Sequence, residues 1–130
     1  MPKLTAKQTN ELASHFLAFA QAIGDYRYEH FKSLSKRQNQ RLKDFHWTIL
    51  QHADELFTRS AVLVMDEVQT SLTTIAEISS QMKDTYKTLQ QVQKALNVAA
   101  SVVTLGTSIL SNNPQAMADS LGNLLHTWKE

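Results

Sequence analysis

All three glycines of this chain (Gly24, Gly106 and Gly122) and both prolines (Pro2 and Pro114) lie outside residues 25–105. The 81 residues between those limits contain neither breaker. Tight β-turns draw positive φ from glycine and a preset φ from proline, so a chain this poor in both lacks the turns of an all-β or βαβ protein. The expectation is an all-α fold. One helix over the whole run would reach about 120 Å at 1.5 Å per residue, so the breaks must come from subtler signals.

Helix starts are the easiest to place. Thr5-Ala6-Lys7-Gln8 and Ser35-Lys36-Arg37-Gln38 both fit a capping box, in which a hydroxyl and a glutamine three residues on satisfy each other's backbone donors. Asn113-Pro114 places a good N-cap before a proline at the first helical position. After Thr5, the positions Leu12, Phe16, Phe19, Ile23, Tyr26 and Leu34 form one apolar stripe, with His30 and Phe31 between the last two. Gly24 costs only about 1 kcal/mol inside a helix, so the first helix is expected to run through it and end near Leu34. A second stripe reads Leu42, Phe45, Ile49, Ala53, Leu56, Ser60 and Leu63. The phase then slips by one and continues from Val68 through Ile75, Met82, Tyr86, Leu89 and Leu96 to Val103. The slip, with Thr70, Ser71, Thr73 and Thr74 just beyond it, predicts a corner within 64–74. The expected architecture is one domain over residues 1–130: an antiparallel helical bundle of three long helices and one short C-terminal helix, with coiled-coil-like packing.

Composition narrows the chemistry. With 130 residues and 42% hydrophobic side chains the chain can build one modest core without staples. The absence of cysteine excludes a disulfide scaffold, a thiolate metal site and a cysteine nucleophile. A net charge of +1 excludes a strongly basic nucleic-acid binder. None of the five histidines follows a glutamate by three residues, as the ligand pairs of di-iron bundles do. His46 reads as an interfacial imidazole beside Trp47, and His52 as a solvated one beside Asp54. No catalytic residue, cofactor site or metal site is expected. The N-terminal residues lack a charged stretch leading into an apolar one, so a cytoplasmic location is the default, with leaderless export left open.

Three features could carry function. Arg27, Lys32, Lys36, Arg37, Arg41 and Lys43 share residues 27–43 with Glu29 as the one acid among them. Lys36, Arg37, Arg41 and Lys43 are the candidates for contact with an anionic partner or lipid. Tyr26, Phe31 and Phe45 fall near the apolar stripes and read as core, while Tyr28 and Trp47 also lie in or beside the cluster. Next, the 24 residues between Lys94 and Asp119 carry no charge, and 95–110 are apolar on more than one helical face. Such a segment is covered on several sides, either inside a bundle or by self-association. Last, the long stripe from Val68 to Val103 is widened by Val64, Ile78, Val92 and Ala99, which suits a bundle core or an oligomer.

The leading expectation is a non-enzymatic interaction protein (an adaptor, a chaperone or immunity-type binder, or an assembly subunit) that contacts a protein partner, itself or both. Its apolar packing surface would comprise Leu96, Val103, Leu105, Ile109, Leu110, Leu121, Leu125 and Trp128. The alternative is a membrane-active protein that inserts residues 95–110, with the cationic cluster meeting anionic headgroups. Nucleic-acid binding through that cluster ranks third.

Overall fold

Three helix starts follow directly from local hydrogen bonding in the computed structural model, which describes residues 3–59 and 63–130. Thr5 Oγ1 accepts from the Gln8 amide at 3.0 Å and Gln8 Oε1 accepts from the Thr5 amide at 2.8 Å, opening α1 (Ala6–Glu29). The same reciprocal pair between Ser35 and Gln38, at 3.1 and 2.9 Å, opens α2 (Lys36–Thr58). Asn113 Oδ1 accepts from the Ala116 amide at 3.0 Å ahead of α5 (Pro114–Lys129). Between them lie α3 (Val68–Thr85) and α4 (Val92–Leu110), with single 3₁₀ turns at Phe31–Ser33 and Tyr86–Thr88. Pro2 and Ser60 fall outside the described residues. Among the described residues there is no strand, only an isolated antiparallel bridge between Lys3 and Val64. The fold is an all-α bundle.

The helix ends depart from the sequence expectation, for tertiary reasons. The first helix runs through Gly24 but stops at Glu29, short of Leu34. His30, just beyond it, stacks on Tyr26 with ring centroids 4.1 Å apart, and its Nε2 hydrogen-bonds the Lys87 carbonyl at 2.8 Å. The chain then turns through Phe31–Ser33 into the Ser35 cap.

α2 ends at Thr58 and α3 begins at Val68, so the change of helix overlaps only the start of the expected 64–74. The threonine and serine cluster lies inside α3 instead. There Thr74 Oγ1 donates back to the Thr70 carbonyl at 3.0 Å, which lets the hydroxyl coexist with the helix. What fixes the corner is pairing with the N-terminal segment: the Leu4 amide donates to the Leu63 carbonyl at 2.9 Å, and Leu4, Leu63 and Met65 are buried. The turn after α4 joins the same pole. Asn112 takes φ 56°, and its Oδ1 accepts from the Val64 amide at 3.1 Å.

The stripe from 68 to 103, expected as one long helix, is two. Between Thr85 and Val92 the α-helix gives way to the 3₁₀ turn Tyr86–Thr88 and three non-helical residues, although no glycine or proline is present. Tyr86 is fully buried, and its hydroxyl donates to the Ala95 carbonyl at 2.6 Å. A buried phenol is stabilised by an acceptor, and the one for Tyr86 lies on the first turn of α4. Thr85 and Thr88 turn their hydroxyls onto the carbonyls of Gln81 and Thr85, and His30 bonds that of Lys87. At the break the Thr85 and Lys87 carbonyls thus find side-chain partners in place of a continuing helix.

Side-chain contacts set the arrangement. Phe16 meets His52, His46 bonds Ala20, and Arg27 bonds Asn39, so α1 and α2 run antiparallel. His15 meets Ser79, Tyr26 meets Tyr86 and His30 meets Lys87, so α3 lies parallel to α1 on its other flank. α4 packs against α2 and α5, and α5 returns to α3, where Trp128 Nε1 donates to Gln81 Oε1 at 2.8 Å. Phe16, Phe19, Ile49, Ile75, Leu105 and Leu124 meet in the shared core. Burying each such side chain contributes about 1.5–3 kcal/mol.

Candidate interaction face

The low-charge segment lies in α4, which buries Ala95, Leu96, Val98, Ala99, Val102, Leu105, Gly106, Ser108 and Ile109. Of the eight residues assigned to an apolar contact surface, Leu96, Leu105, Ile109 and Leu121 are interior to the monomer. Val103, Leu110, Leu125 and Trp128 are half-buried against the core and keep some exposed surface. Gly106 is what lets α4 come so close to α2. A Cβ built there would lie 2.9 Å from both Cγ and Cε1 of His52, and closer still to Nδ1.

His52 is therefore a buried imidazole rather than a solvated one beside Asp54. It packs between Gly106 and Phe16, and its buried Nδ1 has no hydrogen-bond partner. Burial lowers its pKa below the ordinary imidazole value, and the nearby Glu55 opposes that shift. His15 is displaced the same way, with Glu11 opposing. Its Nδ1 lies 3.3 Å from Ser79 Oγ. That hydroxyl already donates to the Ala76 carbonyl at 3.1 Å, so its proton is committed to the backbone. Tyr86, deeply buried beside Tyr26, has its phenol pKa pushed well up by lost hydration.

Exposed rings and cations lie elsewhere, at the end of α1, the 3₁₀ turn and the first half of α2, while Leu17 and Phe57 are exposed outside this region. Tyr26 is core as expected and Phe45 is half-buried, but Phe31 is 57% exposed. The early stop of α1 explains this: Phe31 sits in the 3₁₀ turn and so leaves the stripe that its spacing placed it on. Tyr28 is 83% and Trp47 55% exposed. Around these rings stand the cations. Arg27 donates from Nε to Asn39 Oδ1 at 2.7 Å, and its guanidinium lies 6.0 Å from the Phe31 ring centroid. Arg41 lies 5.5 Å from the Phe45 centroid. Lys32, Lys36, Arg37, Arg41 and Lys43 are exposed. Among the described residues none of the six cations has a carboxylate partner, and the ion pair present is His126–Glu130 in α5.

Between these side chains runs an open cleft of about 770 Å³, lined by Gly24, Arg27, Tyr28, Glu29, Phe31, Lys32 and His46. Its depth depends on Gly24. His46 Nδ1 donates to the Ala20 carbonyl at 2.7 Å, and a Cβ on Gly24 would stand 3.0 Å from His46 Cε1. The missing side chain thus lets the imidazole lie on α1 as one wall.

Neither protein-family models, curated proteins nor solved structures match this chain.

What the face can do follows from its own residues. Aromatic rings and arginine are the side chains most enriched in the energetic centres of protein interfaces. Here three exposed rings share one small area with unpaired cations. No group of His, Asp and Glu among the described residues is arranged to hold a metal ion, and no helix is long and apolar enough to cross a membrane. The cations are legible from the run of basic residues over 27–43. The cleft is not, because its floor and wall come from Gly24 and His46, on different helices with no local signal joining them. Tyr28 and Trp47 could have been flagged, since both fall out of phase with the apolar stripes.

Proposed function

We propose that this chain is a non-enzymatic helical interaction protein, of the adaptor, chaperone, immunity-binder or assembly-subunit kind, and that it works by contact with a protein partner. The observation that carries this reading is the grouping of Tyr28, Phe31 and Trp47, all more than half exposed, beside a cleft on the α1–α2 face. Exposing large rings to water loses the stabilisation that burial gives, and a partner that covers them restores it.

Self-association belongs to the same reading and uses a different surface. Val103, Leu110 and Leu125 form a half-buried apolar rim on the α4–α5 hairpin, whereas copies meeting through the α1–α2 face would oppose like charges. Replacing Val103 with Asp lowers the mass measured by sedimentation equilibrium, and a wild-type chain that sediments as a monomer removes this part of the reading. The membrane-active alternative is less well supported. Its inserting element, residues 95–110, lies wholly within α4, so much of the core would have to open first.

Photo-crosslinking in the native cells tests the main claim. A benzophenone side chain at position 28 or 47 gives discrete protein adducts, and one at exposed Glu77 or Ser80 on α3 does not. Adducts at all four positions alike, or at none, refute the proposal.

A further inference from the structure

We infer that the cleft between α1 and α2 is a docking site for an acidic segment of a partner protein that inserts one apolar anchor side chain. The inference rests on the interaction reading above and names the chemistry of its partner.

The charge of the face selects an anionic occupant. Arg27 and Lys32 line the cleft with Glu29 as the one acid, Lys36 and Lys43 lie on α2, and none of these four cations has a carboxylate partner among the described residues. Lys36, Lys43 and Trp47 fall on one row of α2 at helical spacing, so positive charge and an exposed ring share one face. Arg27 spends its Nε on Asn39 and keeps its two terminal nitrogens. His46 spends its ring proton, on Nδ1, on the Ala20 carbonyl, which leaves Nε2 as an acceptor. The terminal nitrogens of Arg27 are donors held in place by a bond made within the protein. Such an arrangement suits carboxylates, and it repels a second copy presenting the same face.

The shape selects an anchored peptide over a flat surface. The cleft is concave, with its floor at Gly24 and walls formed by Tyr28, Phe31 and His46. Its 770 Å³ is room for a branched or aromatic side chain together with its neighbours. A planar array of headgroups would reach the rim cations and leave the floor empty. An extended or helical acidic segment fills the floor with one side chain and brings its carboxylates to the rim.

The test uses the wild-type chain and a fluorescein-labelled dodecapeptide of Glu, Asp and Ser with one central Phe, read by anisotropy. Saturable binding is expected. Exchanging the central Phe for Ser weakens it about tenfold, which is the loss of one buried anchor. Reversing Lys32→Glu together with Lys43→Glu weakens it by about tenfold or more. Reversing Lys83→Glu together with Lys87→Glu, on the far side of α1, leaves it unchanged. Phe31→Ala weakens binding about fivefold while the melting temperature holds, because Phe31 is exposed.

Equal affinity for the Phe and Ser peptides, or indifference to the Lys32/Lys43 reversal, overturns the inference. So does binding to phosphatidylglycerol vesicles or a twenty-nucleotide oligothymidylate with none to the peptide. Failure of the peptide while positions 28 and 47 still crosslink in cells removes the acidic-anchor chemistry and leaves the interaction reading standing. Peptide binding without those crosslinks does the reverse.

Discussion

Replacing Gly106 with Ala tests the seam between α2 and α4. Two effects oppose each other. In the middle of a helix, alanine is favoured over glycine by about 0.8–1 kcal/mol. The new methyl, however, would lie 2.9 Å from His52 Cγ and Cε1, well inside carbon–carbon contact, and nearer still to Nδ1. The ring cannot simply swing out, because His52 is only 8% exposed and packs edge-on against Phe16. Overpacking of this kind costs about 1–3 kcal/mol, so Gly106→Ala should destabilise by up to about 2 kcal/mol net.

Gly122 supplies the internal control. It lies within α5, and a Cβ there would meet nothing within 4 Å, so Gly122→Ala should stabilise by up to about 1 kcal/mol. Urea unfolding followed by circular dichroism at 222 nm measures both midpoints. In a His52→Ala background the obstacle is gone, and Gly106→Ala should change sign and become stabilising. If Gly106→Ala and Gly122→Ala shift the midpoint equally and in the same direction, the close packing of His52 on α4 is refuted.

Other substitutions and conditions probe the remaining contacts. Asn112 holds φ 56° and accepts from the Val64 amide. Unfolding should rank wild type above Asn112→Gly, which loses the side-chain bond, and Asn112→Gly above Asn112→Ala. The alanine also bears the left-handed backbone, at a further cost of about 1 kcal/mol. Ser35→Ala removes the acceptor that opens α2 and should lower stability by about 1 kcal/mol in the same assay. His52 and His15 have folded-state pKa values below the 6.5 of the unfolded chain. As pH falls below about 6.5 the unfolded chain binds protons that the folded one does not. Stability is therefore full above that pH and declines as pH falls toward the folded values. The melting temperature should drop on acidification from pH 7 to 5, and drop less in a His52→Gln variant.

Much of this fold can be read locally, and the exceptions share one cause. The starts at Thr5, Ser35 and Asn113 depend on residues three apart, so the sequence displays them. The stops at Glu29 and Thr85 depend on His30 reaching Lys87 and on Tyr86 reaching Ala95, contacts that exist only once the bundle has formed. The charge-free stretch was correctly read as needing cover on several sides, and α4 is covered by α2 and α5. Reading its apolar residues as a contact surface went too far for Leu96, Leu105, Ile109 and Leu121, because periodicity marks burial without saying which partner provides it. For His52 the error ran the other way. Its neighbour Asp54 suggested solvent, while the decisive neighbour is a missing side chain at Gly106.

The pairing of Leu4 with Leu63, and of Val64 with Asn112, has a consequence for how the bundle comes apart. The amides of Leu4 and Val64 belong to no helix, yet each is held by a residue distant in the chain. Neither can be freed by fraying one helix end. Releasing Val64 detaches the α4–α5 turn from the α2–α3 corner, and releasing Leu4 detaches the N-terminal segment from that same corner. These two non-helical protons should thus exchange with solvent more slowly than the amides of a fraying helix end, and their exchange reports the opening of this pole.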